Sequence, residues 1–195
     1  LYVEVSGNPS GIPIIFFHGG PGGQSRSEHH SLFNPSLFRS IIYDQRGTGM
    51  STPFRSLKNN DTDTLIEDVE KIRKFLNIDK LFLVGGSWGA TLALLYAKKY
   101  PEHVSALILR GTFLARHQDL EWFLSDKGVA RLIPSDYQKF LNIVGKIAGA
   151  TDAKSIINGV FNALISSDDL IKSQVTIAWA KWSWAVLNLS LIHIS

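Results

Sequence analysis

The chain has 195 residues, of which 45% are hydrophobic and 19% charged, enough length and apolar content for a globular domain of moderate size and too much for a disordered segment. Its formal net charge of +3 comes from lysines and arginines scattered among acids, with no basic block of the kind that tracks nucleic acid, so no nucleic-acid partner is expected. The lack of cysteine excludes disulfides, thiolate metal sites and cysteine catalysis, and no apolar run approaches the ~20 residues that span a bilayer, so neither a metal nor a membrane is expected.

Residues 1–5 alternate like a half-exposed strand already in progress, and Gly7-Asn8-Pro9-Ser10-Gly11 is turn chemistry. Residues 12–17 form a continuous apolar run, the signature of a buried strand, and deliver the glycine-rich loop His18-Gly19-Gly20-Pro21-Gly22-Gly23. The adjacent His29 and His30 fall in a polar stretch and read as surface loop histidines, with no H-E-x-x-H spacing anywhere in the chain. A second buried strand over 40–43 ends in another polar loop, Asp44-Gln45-Arg46-Gly47-Thr48-Gly49-Met50-Ser51. From 64 to 76 the apolar residues Leu65, Ile66, Val69, Ile72, Phe75 and Leu76 fall at helical spacing, and Thr64 with Glu67 has the form of a capping box. Residues 81–84 are the third buried strand, 88–100 a helix stopped by Pro101, and 106–109 the fourth buried strand.

Short buried strands alternating with amphipathic helices predict a mostly parallel sheet with helices on both faces, and ligands bind outside the carboxyl ends of such strands. Past Gly111 the pattern changes: residues 120–132, 135–147, 153–165 and 168–187 read as four helices, a helical cap. The expected organisation is a partial α/β core over 1–112, a partial cap over 113–188, and a tail of doubtful origin over 189–195.

The chemistry concentrates at Gly85-Gly86-Ser87-Trp88-Gly89, between a strand and a helix. This is G-x-S-x-G in the context that makes it a nucleophile elbow: the turn is so tight that the residues two before and two after the serine must lack bulk. A serine attacking a carbonyl needs two backbone N–H donors for the oxyanion. Trp88 supplies one as the residue after the nucleophile, and the loop after an earlier strand supplies the other, with Gly20 the choice and Gly19 the alternative. Asp44 precedes the serine, whereas hydrolase triads on such folds run Ser, acid, His along the chain, so Asp44 and Arg46 are assigned to hydrogen bonds with the loops beneath the site.

The set His18-Gly19-Gly20-Pro21-Gly22, Asp44 through Ser51, and Gly85 through Gly89 resembles the proline iminopeptidases, serine aminopeptidases of the α/β-hydrolase fold; Tyr100-Pro101-Glu102 and Leu109-Arg110-Gly111 also match. The resemblance implies an enzyme of the cytoplasm without cofactor, whose partner is a peptide with N-terminal proline. Ser87 would attack the carbonyl of that first residue, with Gly20 and Trp88 holding the oxyanion. Trp179 and Trp182, in a stretch matching the family's W-x-x-W-E, would line the proline pocket, although tryptophans at helical spacing also suit a core. Two departures stand out. Ser183 occupies the position of the family's glutamate, which puts recognition of the free amine in question. After Ser87 the histidines are His103, His117 and His193, and none follows an aspartate on a further strand. The sequence is therefore expected to be a fragment truncated at both ends, without the C-terminal strands of the sheet or the triad Asp and His, inactive by itself, and with the edge of its last parallel strand unpaired.

Overall fold

The computed structural model describes residues 1–149 and 151–192, which fall into two compact units, Leu1–Leu114 and Ala115–Ser195. The first is a five-stranded sheet of β1 (Val3–Gly7), β2 (Ile12–Phe17), β3 (Phe38–Tyr43), β4 (Leu81–Gly86) and β5 (Val104–Arg110), in the order β1-β3-β2-β4-β5. Only β1 runs antiparallel to its neighbour; β3, β2, β4 and β5 are mutually parallel, so the chain crosses over between them through α1 (Thr62–Phe75) and α2 (Trp88–Lys99). Ile15, Phe17, Ile41, Tyr43, Leu81 and Leu83 pack against Leu65, Val69 and Ile72 of α1 and against Leu92, Ala93 and Tyr96 of α2. Because every parallel strand leaves the sheet at the same end, the loops after β2 and β3 and the turn after β4 emerge side by side.

Three readings of the helices and strands of this unit need correction. The first helix begins at Thr62 with Asp61 as its N-cap, the carboxylate accepting from Thr64 N–H; Glu67 instead pairs with Lys99 Nζ at 2.7 Å and accepts from Tyr100 Oη, so the expected Thr64–Glu67 box does not form. Phe75, on the expected apolar face, is exposed at the helix end, where the last turn runs out over solvent. The strand read as buried over 106–109 has the unpaired edge expected of the last parallel strand, and there Leu107 and Ile108 are exposed, because no described strand covers its far side.

His29 and His30, read as surface loop histidines, lie in a 3-10 turn, Ser27–Leu32, and are half-buried. His30 Nδ1 is 2.7 Å from Ser40 Oγ and its Nε2 is 3.3 Å from Glu4 Oε2, while the His29 ring lies 4.4 Å from that of Phe16. Among the described residues no cluster of three or more His, Cys, Asp or Glu is arranged to hold a metal, and no helix is long and apolar enough to cross a membrane.

The second unit is helical: α3 (His117–Leu124), α4 (Pro134–Ala148), α5 (Ala153–Ile165) and α6 (Asp169–Ile192). The helix expected over 120–132 is broken. It ends at Leu124, and after Ser125 the chain doubles back so closely that a Cβ on Gly128 would lie 1.9 Å from Trp122 O; a short 3-10 turn, Val129–Arg131, follows. Tyr137, Phe140, Val144, Ile156, Val160, Val175 and Trp182 form its core. Helix α6 continues through residues 189–192, the start of the segment read as a separate tail.

Candidate active site

Ser87 occupies the junction between β4 and α2 with φ 54° and ψ −122°, a conformation that a residue bearing a Cβ adopts only when its surroundings enforce it. The enforcement is visible on both sides. Ser87 N–H donates to Arg110 O of β5 at 3.0 Å, and Ser87 O accepts the first helical bond from Ala90 N–H at 2.9 Å. A Cβ on Gly85 would lie 2.3 Å from Gly89 O, and one on Gly89 would lie 2.1 Å from Phe17 O, so both glycines of the motif are demanded by backbone passing backbone. The serine side chain is left exposed at the tip of the turn.

The loop after β2 comes directly alongside. A Cβ on Gly19 would lie 3.5 Å from Ser87 Cβ, and at Gly20, with φ 139°, a side chain would collide with Gly22 N and Gly23 N at 2.5 and 2.7 Å. Trp88 is the first residue of α2, where a helix has no internal acceptor for its N–H, and the N-terminal end of the helix dipole favours negative charge at the same place.

One glutamine, to which the motifs alone gave no role, ties the two loops together. Gln45 N–H donates to His18 Nε2 at 3.1 Å, Gln45 Nε2 donates to His18 O at 2.9 Å, and Gln45 Oε1 accepts from Trp88 Nε1 at 3.2 Å. With Nε2 accepting, His18 carries its proton on Nδ1 and donates to Gly19 O at 2.9 Å. Burial pushes the His18 pKa below its ordinary value, which keeps the ring neutral and that pattern intact. Asp44 does as expected: its carboxylate accepts from Ser25 N–H, Ser25 Oγ and Met50 N–H, and a Cβ on Gly49 would meet that carboxylate at 2.1 Å. Arg46 does not. Its guanidinium clamps Asp68 of α1, with Nη2 2.7 Å from Oδ1, so it braces a helix and leaves the loops to Asp44.

No described residue hydrogen-bonds Ser87 Oγ. His18 is committed as above. His103 sits at the amino end of β5 with Nδ1 2.9 Å from Asp79 O, the whole length of the neighbouring strand, about 20 Å, from the elbow. His117 opens α3, where its Nε2 is 3.6 Å from Glu121 Oε1, and His193 lies outside the described residues. In the helical unit Trp182 is 1% exposed, donates from Nε1 to Phe123 O at 3.1 Å, and is surrounded by Phe123, Tyr137 and Phe140 at centroid distances of 5.3–6.0 Å. A fully buried indole with its donor satisfied suits a core element, the other role that its helical spacing allows. Trp179 is half-buried against Phe123 and Phe140.

A parallel sheet whose strand-to-helix elbow presents a serine beside a glycine loop defines an α/β hydrolase. A family model described as the α/β hydrolase fold matches residues 12–192, and the chain belongs to that family. It is 41% identical over 97% of its length to a protein from Leptolyngbya boryana named a probable proline iminopeptidase, 41% identical over 93% to the proline iminopeptidase of Neisseria gonorrhoeae, and 39% identical over 93% to that of Arabidopsis thaliana. The chain spans 57% of the length of the first two and 47% of the third. Among solved structures, a proline iminopeptidase-related protein from Thermus thermophilus superposes with a TM-score of 0.55 at 19% identity, covering 97% of this chain and 68% of that one, which shows the shared fold. An epoxide hydrolase from a hot-environment metagenome gives the same score at 20% identity, covering 95% and 64%.

Proposed function

We propose that this chain carries the nucleophile and oxyanion hole of a serine aminopeptidase that releases N-terminal proline from peptides. Ser87 Oγ attacks the carbonyl of the first residue, and the N–H groups of Trp88 and Gly20 receive the oxyanion. The observation that carries this reading is the enforced backbone at Ser87, backed by two glycines that admit no Cβ and set beside a loop held to Trp88 through Gln45. The names of relatives at about 40% identity support the substrate class. The base that must take the serine proton is assigned to sequence outside this chain, in keeping with the described histidines being committed elsewhere or distant. The chain alone is thus expected to be inactive.

A second reading, hydrolysis of short acyl esters, is favoured by one observation: a neutral, half-buried Ser183 where the resemblance calls for an acid to hold the amine. The deciding experiment treats this chain and the longer gene product with a fluorophosphonate probe, then assays both on proline naphthylamide and on p-nitrophenyl acetate. The expected result is labelling at Ser87 and Ser87-dependent amide turnover in the longer protein, with negligible turnover by the chain alone. Ester cleavage without amide cleavage would replace the aminopeptidase reading, robust turnover by the chain alone would overturn the missing base, and no labelling of the longer protein would overturn the nucleophile.

A further inference from the structure

Beside the elbow lies a cleft of about 460 Å³ that the chemistry above leaves unused, within the size range of small-ligand sites. Trp88 and the Pro21-Gly22 turn line it together with Arg55, Leu57 and Leu65. It therefore begins at the two segments assigned to the oxyanion. Its charges are nearly all committed. Arg46 is clamped on Asp68, and the Asp61 carboxylate is occupied as the N-cap of α1, accepting from Thr64 N–H and Oγ1 at 2.9 Å each. The remaining charge is the exposed guanidinium of Arg55, which rests 5.1 Å from the centroid of the Phe54 ring and has no carboxylate partner among the described residues.

Arg55 is also held where its backbone gains nothing from being arginine. Its φ is 59°, a region that glycine or asparagine enters far more readily, and its N–H is fixed to Gly47 O at 2.9 Å. Asn60 Nδ2 donates to Arg46 O and to Ser56 O, so the segment after the arginine is tied to the loop that follows β3. A strained position that keeps a long cationic side chain, in a cleft with apolar walls, points to a ligand more than to stability.

We propose that this cleft receives the leaving group, and that Arg55 reads a carboxylate there, so that the favoured substrates are short peptides whose free C-terminus lies near the scissile bond. The proposal rests on the aminopeptidase reading of Ser87. The sign of the charge assigns the direction: the acyl side of an N-terminal residue carries a cationic amine, which Arg55 would repel, whereas the leaving side of a short peptide carries an anion. Arginine suits that task because its planar fork meets a carboxylate through two donors.

The test is a binding measurement on this chain and needs no turnover. Trp88 is the only tryptophan in residues 1–114, so 5-fluorotryptophan labelling gives one fluorine resonance from the sheet unit. N-acetyl-L-leucine and N-acetyl-L-leucinamide are titrated against that signal. The acid is expected to shift it with an affinity at least tenfold above that of the amide. Arg55→Asn, which suits the backbone conformation, should bring the ratio to about one while keeping or raising the melting temperature; Ser87→Ala should preserve the ratio. Equal binding of acid and amide, shifts confined to the four tryptophans of the helical unit, no shift of Trp88 by the acid, or a tenfold preference surviving Arg55→Asn would each overturn the proposal. Failure here with probe labelling at Ser87 intact removes the subsite alone; discrimination without labelling removes the nucleophile alone.

Discussion

Replacement of Glu70 by glutamine should unlock the contact between the two crossover helices, and the effect should depend on pH in a defined sense. Glu70 is 3% exposed on α1. Its Oε2 accepts from Arg73 Nε at 2.8 Å and Tyr96 Oη at 2.9 Å, and its Oε1 from Arg73 Nη2 at 2.7 Å, with Lys74 Nζ at 3.2 Å; Arg73 Nη1 also donates to Ile78 O just before β4. The hydrogen bonds from Arg73 hold the Glu70 carboxyl down to about 2 from an ordinary 4.5. Because the folded value is depressed, the stabilisation is fully present above about pH 5 and is lost as pH falls toward 2. At 1.36 kcal/mol per pH unit the gap corresponds to about 3 kcal/mol. Glu70→Gln leaves the buried Arg73 guanidinium without its counter-charge, a loss of about 3–5 kcal/mol in comparable pairs. Urea unfolding followed by the fluorine signal of Trp88 should therefore show the variant less stable by about 3 kcal/mol at pH 7, with the difference closing between pH 5 and pH 2. Other carboxylates titrate in the same range but are common to both proteins and cancel in the difference. A difference that is constant from pH 7 to pH 2, or under about 1 kcal/mol at pH 7, would refute this account of the helix contact.

Two further substitutions separate residues whose surroundings differ sharply. Gly89→Ala forces a Cβ to within 2.1 Å of Phe17 O and 2.9 Å of His18 O, both main chain, and should destabilise the sheet unit by about 3 kcal/mol, whereas Gly86→Ala, whose nearest neighbour is Arg110 O at 3.8 Å, should change stability by less than about 1 kcal/mol; equal melting temperatures would show that the elbow is not held by this close approach. Trp182→Ala should cost the helical unit about 3–5 kcal/mol by emptying its core, against under about 0.5 kcal/mol for Trp184→Ala at 67% exposure, and a thermal melt followed by the fluorine signals of the remaining tryptophans would expose an error if Trp182→Ala were silent.

The elbow was legible because part of its constraint is local: Gly85 meets the backbone of Gly89 and Ala90 within one turn, so the spacing carries that geometry, although Gly89 itself is held to be small by Phe17 of the distant β2. The crossover helices were legible from period, apart from their ends. Asp61 displaced Thr64 as the cap because its carboxylate accepts from the N–H of Thr64 and so starts the helix one turn earlier, and both residues satisfy a cap pattern. The break after Leu124 depends on Gly128 folding against Trp122 O, which no period records. For β5 the sequence anticipated the unpaired edge and misjudged only the burial of its residues. Apolar residues at 106–109 report a preference for burial, while burial itself requires a neighbour that the alternation of a strand does not supply.

What the sequence left open was how two glycine loops 27 residues apart come to be tied together beside one serine. Each motif predicts its own loop, but neither predicts that Gln45 spends its main-chain N–H and both ends of its amide on His18 and Trp88. That arrangement needs a neutral His18 with its proton on Nδ1, hence burial, hence the close packing of Gly89 on Phe17 and His18 that keeps the loop against the helix. The glycines of the elbow therefore do two jobs. They let the chain turn sharply enough to expose Ser87, and they let α2 approach β2 closely enough that Gln45 can join the segments assigned to the oxyanion before any substrate arrives, the condition under which fixed donors lower a barrier without reorganising.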